Sequence, residues 1–233
     1  MYKNKVITVV IPCHNEEDGL LATKKMIPDF VDHILVVDNF STDKTYQVAL
    51  DLGLLVVQEH EKKGYGYAYQ KGFANLPVDT DIVVTCDGDG TYPMDELISI
   101  LDLIVDKNYD FISCARFPLR DKQAMKFLNK FGNMVLTLVF LILTMRLIKD
   151  SQSGMWVFKK EVLKKIKLTS GGMPLSEEIK MEAMLNPKIN FYEFHIGYND
   201  RIGHTTLNRF KDGWDNLVFL FKKRWDICNR KYD

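Results

Sequence analysis

Asp87-Gly88-Asp89, followed by Gly90, ends the apolar run DIVVTC (81–86). Two carboxylates one residue apart, where a buried strand opens into a turn, can share a hard divalent cation such as Mg2+ or Mn2+. Such an ion takes oxygen ligands and often completes its shell with substrate phosphates. The two glycines leave room for a ligand against the backbone. The plain alternative is an Asp-Gly turn that binds nothing, since both residues favour turns. Three other polar segments, each following an apolar run, weigh against it: PCHNEE (12–17), DNFSTDKT (38–45) and the glycine-rich EHEKKGYGYAYQKG (59–72). There is no GxGxxG at the first turn and no Walker A sequence, so dinucleotide and P-loop readings have little support.

Residues 5–11, 33–37, 54–57, 81–86 and 110–115 are short β-branched runs and predict buried strands; 16–27, 42–52, 65–75 and 94–106 carry helical patterns. Alternation at this spacing predicts an α/β fold with a mostly parallel central sheet flanked by helices. Ligands of such sheets bind at the carboxyl ends of the strands, which puts all four polar segments on one edge. Past residue 115 the pattern changes. Residues 120–133 predict a basic amphipathic helix with Lys122, Lys126 and Lys130 on one face. The apolar run Met134–Met145 follows. It is shorter than the roughly 20 residues that span a bilayer, so a core or interfacial helix is expected. A strand over 154–158, a helix over 176–185 and a strand over 189–196 come next. Trp214, Leu217, Val218, Phe221 and Trp225 then recur at helical spacing, interrupted by Lys222, Lys223 and Arg224.

The 233 residues suit one domain. Lys+Arg and Asp+Glu are both 31, which argues against a nucleic-acid partner. The neutrality hides a basic stretch from Arg116 to Lys149 that should face an anion or a membrane surface. Cys13, Cys86, Cys114 and Cys228 form no CxxC pair and are expected to be buried, reduced thiols. The chain enters a strand-like run at once, so no signal peptide is expected.

The ordered set PCHNEE, VVDNFSTDKT, KKGYGYAYQKG, DGDG, DSQSGMWVFKKEVL and RIGHTTLNRFKDGW resembles family 2 glycosyltransferases of the GT-A fold over roughly residues 5–220. Within them it is most similar to dolichyl-phosphate mannose or glucose synthases, the polyprenyl-phosphate glycosyltransferases. The resemblance implies a UDP- or GDP-sugar donor and an inverting transfer to a polyprenyl (dolichyl or undecaprenyl) phosphate. It implies Mg2+ or Mn2+ on Asp87 and Asp89, and donor binding by Pro12, Asn15, Glu16, Asp38, Gly64 and Asp87; Arg116 counts with these binding residues, and as the head of the basic stretch it is expected, with Lys130, to orient an acceptor phosphate. Asp89, Glu178 and Arg201 are the expected catalytic residues, and Asp150 and Gly154 match the family's paired Asp and Gly ahead of a strand. Residues 1–115 would be the donor half and 116–233 the acceptor half, with C-terminal amphipathic helices at the interface. The expected location is cytoplasmic, peripheral at the cytoplasmic face of a membrane; a homo-oligomer is left open. The sequence departs from the pattern at Asn39, where a second Asp is common, and at Thr205-Thr206, where Ser-Lys is usual.

Each residue has an ordinary alternative: Asp38 a turn opener or helix cap, Glu16 a first-turn charge, Arg201 a surface ion pair, and Glu178 a solvated charge beside Glu177. His204 could complete a metal shell, but a lone His is more often structural. Three rival functions remain open: transfer to a soluble or glycan hydroxyl, with Glu178 or Glu177 as base; a nucleotidyltransferase; and a non-catalytic nucleotide-sugar binding module.

Overall fold

A computed structural model of the chain describes residues 1–121, 124–203 and 209–230. Its elements run β1 (Ile7–Cys13), α1 (Glu17–Met26), β2 (His33–Asn39), α2 (Thr45–Asp51), β3 (Leu55–Glu59), α3 (Tyr65–Ala74), β4 (Ile82–Thr85), α4 (Leu97–Val105), β5 (Phe111–Ala115), α5 (Phe127–Thr144), β6 (Trp156–Lys159), a 3-10 turn (Lys160–Lys164), α6 (Leu175–Leu185), β7 (Phe191–His195) and α7 (Arg209–Cys228). One seven-stranded sheet has the order β3-β2-β1-β4-β6-β5-β7. Only β6 opposes the rest among these strands, antiparallel to both β4 and β5. The fold is therefore the mostly parallel, helix-flanked α/β sheet that the alternation predicts.

The apolar runs are continuous because both faces of the sheet are covered. Ile7, Val9, Ile11, Val84 and Ile112 point to the side packed with α4 residues Leu97, Ile100 and Leu101. Their neighbours Val10, Val83 and Phe111 point to the other side, onto Tyr69 of α3 and Leu175 and Ile179 of α6. Pro12, expected in a loop, lies in β1 opposite Val37. β1 pairs with β4 only from Ile7 to Val10, so the missing Pro12 N–H falls beyond that ladder.

The second half departs further from expectation. No helix starts at residue 120; α5 begins at Phe127 and runs through the apolar stretch as one element. Leu136 and Phe140 face a small core with Met181, Leu220 and Ile227. Phe127, Phe131, Met134, Leu138 and Ile142 are exposed on its other side. By length and composition α5 could cross a membrane, but it also packs on the body. α7 continues unbroken through Lys222-Lys223-Arg224 and leaves Phe210, Trp214, Phe221 and Trp225 exposed. Polar α6, read as having a solvated face, is buried from Leu175 to Ala183, including Glu177, Glu178, Lys180 and Glu182. Cys13, Cys86 and Cys114 are buried as expected, but Cys228 is exposed.

Candidate active site

Strand order reverses between β1 and β4, where β1 leads outward to β2 and β3 while β4 starts the other flank. A crevice opens at the carboxyl ends of strands at such a switch. β4 delivers Asp87 and Asp89 there. Antiparallel β6 brings its amino end to the same edge, so Gly154 meets Asp87. A Cβ on Gly154 would lie 2.2 Å from the Tyr65 hydroxyl and 3.4 Å from Asp87 Oδ1. The Tyr65 hydroxyl donates to Asp87 Oδ1 at 3.3 Å. Thr85 Oγ1 donates to the Gly154 carbonyl at 2.8 Å, and the Gly154 N–H donates to the Tyr92 hydroxyl at 2.7 Å.

Asp89 is buried. Its Oδ1 accepts from the Thr91 N–H (3.1 Å) and hydroxyl (2.7 Å), and its Oδ2 pairs with Arg201 Nη1 at 2.7 Å. The Arg201 guanidinium also pairs with Glu16 Oε1. Among the described residues, the buried Glu16 Oε2 has no hydrogen-bond partner. Burial and the neighbouring Asp89 push the Asp87 carboxyl up, against the pull of Arg201 and Arg116. Burial likewise pushes Glu16 up to about 7; Arg201 opposes this, while Asp89 and Asp87 add to it. Glu16 and Asp89 thus pair with one arginine while Asp87 stands beside them, and the hard oxygens of Asp87 and Asp89 suit Mg2+ or Mn2+. Among the described residues no group of three or more His, Cys, Asp or Glu could hold an ion. A cation here would therefore take Asp87 and Asp89 and complete its shell from a bound ligand.

Arg116, just past β5, is buried and fixed by Asp150: Nε donates to Oδ2 at 2.7 Å, Nη2 to Oδ1 at 2.9 Å, and its backbone N–H to Oδ2 at 3.0 Å. It lies over the Tyr198 ring, 5.1 Å from the centroid. The residues expected to bind the donor join the first three loops together. Asn15 Oδ1 accepts from the Thr42 N–H at 2.7 Å, and the Asn15 N–H donates to Ser41 Oγ at 3.0 Å. Asp38, buried near the end of β2, accepts long hydrogen bonds from Ser41 (3.3 Å) and Gln58 (3.4 Å). The Gly64 N–H donates to Asn39 Oδ1 at 2.8 Å, at a φ of 150°.

A cleft of about 690 Å³ opens over this edge. Asp87, Asp89, Arg116 and Arg201 line it together with Leu128, Asn129 and Gly132 of α5 and Asp212, Gly213 and Asn216 of α7. Glu178 is not among its lining residues. Both of its oxygens are occupied by the Thr169 and Ser170 N–H groups and by Lys223. His204, Thr205, Thr206 and Lys122 lie outside the described residues. The sequence reading gave no role to Tyr65, Tyr92, Tyr198, Gln152 or Asn216, all of which line the cleft. For Tyr65 a signal existed, because it sits inside the glycine-rich segment.

The family model described as Glycosyl transferase family 2 matches residues 8–167. The dolichyl-phosphate hexose transferase of Haloferax volcanii is 33% identical over 213 residues, 89% of this chain and 89% of that protein. The UDP-N-acetylglucosamine–dolichyl-phosphate N-acetylglucosaminyltransferase of Methanococcus voltae is 27% identical over 188 residues, 69% of this chain and 72% of its own. Among solved structures, glucosyl-3-phosphoglycerate synthase from Mycobacterium tuberculosis, in complex with Mn2+, UDP and phosphoglyceric acid, superposes with a TM-score of 0.73. It does so at 19% identity over 95% of this chain and 78% of that one, a likeness of fold.

Proposed function

Because this chain belongs to glycosyl transferase family 2, we propose that it moves a sugar, with inversion, from a UDP- or GDP-sugar to a polyprenyl phosphate at the cytoplasmic face of a membrane. The observation that carries the acceptor assignment is the mouth of the cleft. Its walls are α5 and α7, and each of these helices exposes a second apolar stripe to solvent. A helix that is apolar on both sides is seated against more than water. α5 packs one side on the body, so it would lie in the interface with the other, next to the opening through which a lipid phosphate enters. The two curated relatives described above carry dolichyl phosphate in their names.

In this reading residues 1–115 hold the donor and 116–233 the acceptor. Asp38, Asn15, Pro12 and Gly64 shape the nucleoside side of the cleft. Asp87 and Asp89 would hold Mg2+ or Mn2+, which when bound would supply positive charge against the leaving diphosphate. Arg201 spans Asp89 and Glu16 on the cleft wall and would meet a donor phosphate. Arg116, held in the cleft wall by Asp150, would orient the acceptor phosphate. That phosphate is already largely anionic at neutral pH, its second pKa being about 6, so it needs positioning rather than a strong base. Its oxygen attacks the anomeric carbon as the bond to the nucleoside diphosphate breaks. A soluble acceptor is the second reading, favoured by the phosphoglyceric acid in the complex of the fold neighbour.

A donor screen with Mn2+, with and without a polyprenyl phosphate, tests the assignment; product is expected only with the lipid phosphate present. Asp87→Ala and Asp89→Ala, each separately, should abolish transfer with the fold intact, as should EDTA on the wild type. Full activity of Asp89→Ala in metal-free buffer would overturn the metal reading.

A further inference from the structure

Glu178 is a buried carboxylate that does not line the cleft, yet it sits at a junction. On one side Lys223 of α7 donates to its Oε1 at 2.8 Å. On the other it holds the turn ahead of α6. The Thr169 N–H donates to Oε1 and Oε2 at 2.9 and 3.0 Å, the Thr169 hydroxyl to Oε1 at 2.7 Å, and the Ser170 N–H to Oε2 at 2.8 Å.

That turn is the seat of the glycine-rich segment. The Ser170 carbonyl accepts from Gln70 Nε2 at 2.7 Å, and the Gly171 carbonyl accepts from the Tyr67 N–H at 3.1 Å. The approach is so close that a Cβ on Gly64 would lie 2.3 Å from the Gly171 oxygen, and one on Gly66 2.2 Å from the Ser170 oxygen. Glycines at 64 and 66 are thus required by contact with this turn. Between them stands Tyr65, first residue of α3, whose hydroxyl reaches Asp87 Oδ1. Packed against Gly154, that ring has little room to shift independently of its backbone.

We infer that Glu178 is a positioning residue for Asp87, acting through the Thr169–Ser170 turn, the Gly64–Gly66 contact and the Tyr65 hydroxyl. The inference rests on the proposed role of Asp87 as a cation ligand. It replaces a proton-accepting role for Glu178 with a mechanical one, and it ties α7 to the donor side of the cleft through Lys223. Groups that orient a metal ligand from behind typically change metal affinity by about 10–100-fold when removed.

The test is a double-mutant cycle on Mn2+ affinity in the presence of UDP, read from the EPR signal of free Mn2+ and not from turnover. Asp87→Asn is the control: if it leaves Mn2+ binding unchanged, the cation reading itself fails. If it abolishes binding, Glu178→Gln and Tyr65→Phe should each weaken affinity about 10-fold, and the double variant should be little worse than either. Wild-type affinity for Glu178→Gln, or single effects that simply multiply, would overturn the inference. So would loss of a pH limb from the kcat profile of Glu178→Gln, which is the mark of a general base. Should Glu178→Gln not fold, Gln70→Leu, which removes one contact between α3 and the same turn, enters the cycle with the same expectations.

Discussion

At the scale of single residues, the cleft is a balance of charge around Arg201. Glu16 is the titratable member whose behaviour the geometry specifies. Burial raises its carboxyl from 4.5 to about 7, and Arg201 offsets only part of the rise. The folded chain therefore holds this proton more tightly than the unfolded chain does. The stability it contributes is complete below about 4.5 and is lost as pH rises through about 7. Glu16→Gln cannot ionise and escapes that loss. Urea unfolding of metal-free protein should show the variant gaining on the wild type between pH 4.5 and 7, with a constant difference above. A difference independent of pH over that window would show that Glu16 ionises normally. The residues of this balance were visible in the sequence because each follows an apolar run in a short polar segment. Tyr65, Tyr92 and Tyr198 were not, since a tyrosine in an α/β chain is ordinarily core and only β6 running backwards brings Gly154 between two of them.

At the scale of elements, α5 carries the acceptor proposal. Its buried side holds Leu136 and Phe140; its exposed side holds Phe131, 54% exposed, and Leu138, 55% exposed. Nothing in the fold requires those two to be apolar. Burying a Phe or Leu side chain is worth about 1.5–3 kcal/mol. The wild type is expected to float with anionic liposomes, less so at high salt as the attraction of its basic residues is screened. Phe131→Ser with Leu138→Ser should cut partitioning at least about tenfold while leaving thermal unfolding nearly unchanged. Equal flotation of both proteins would remove α5 from the interface. The first five strands and four helices were legible from periodicity to within a few residues. α5 was less so, because residues 120–133 and the apolar run read as separate pieces, whereas one helix from Phe127 takes in the end of the first and most of the second. α6 misled for a different reason. Its charges look solvated until α7 covers them, with Lys223 pairing Glu178 and Glu182, and Arg230 pairing Glu182. Contacts between helices distant in the chain leave no periodic trace.

At the scale of the whole molecule, one buried knot ties the sheet to its second half. Asp150 receives Arg116 twice by side chain and Asn133 Nδ2 at 2.7 Å, while Lys180 donates to the Asp150 and Ser151 carbonyls at 3.0 and 2.8 Å. The end of β5, α5, the loop ahead of β6 and α6 meet there. Burial alone would raise the Asp150 carboxyl, but Arg116 outweighs it and holds the group well below the usual carboxylate range. Its contribution is thus present above the ordinary value near 3.8 and lost as pH falls below it. Arg116→Met would strand a buried carboxylate, at a cost of about 3–5 kcal/mol at pH 7. Chemical unfolding should find that deficit at pH 7 and a smaller one toward pH 4, where the stranded group can take up a proton.

β5 and β6 are antiparallel neighbours, a pair that a two-residue hairpin could join. The chain instead spends residues 116–155 between them, and both partners of the Arg116–Asp150 knot lie inside that excursion. Such an arrangement is a cassette: the sheet register on either side is set without it, and its main internal tie travels with it. Transplanting 116–155 from a relative with a different acceptor, with Arg116, Leu136, Phe140 and residues 149–155 kept for their contacts with α6, α7, Glu193, Thr85 and Tyr92, should give a folded chimera. That chimera would inherit the new acceptor preference and retain the parent's choice of nucleotide sugar, which a paired donor and acceptor screen would read directly.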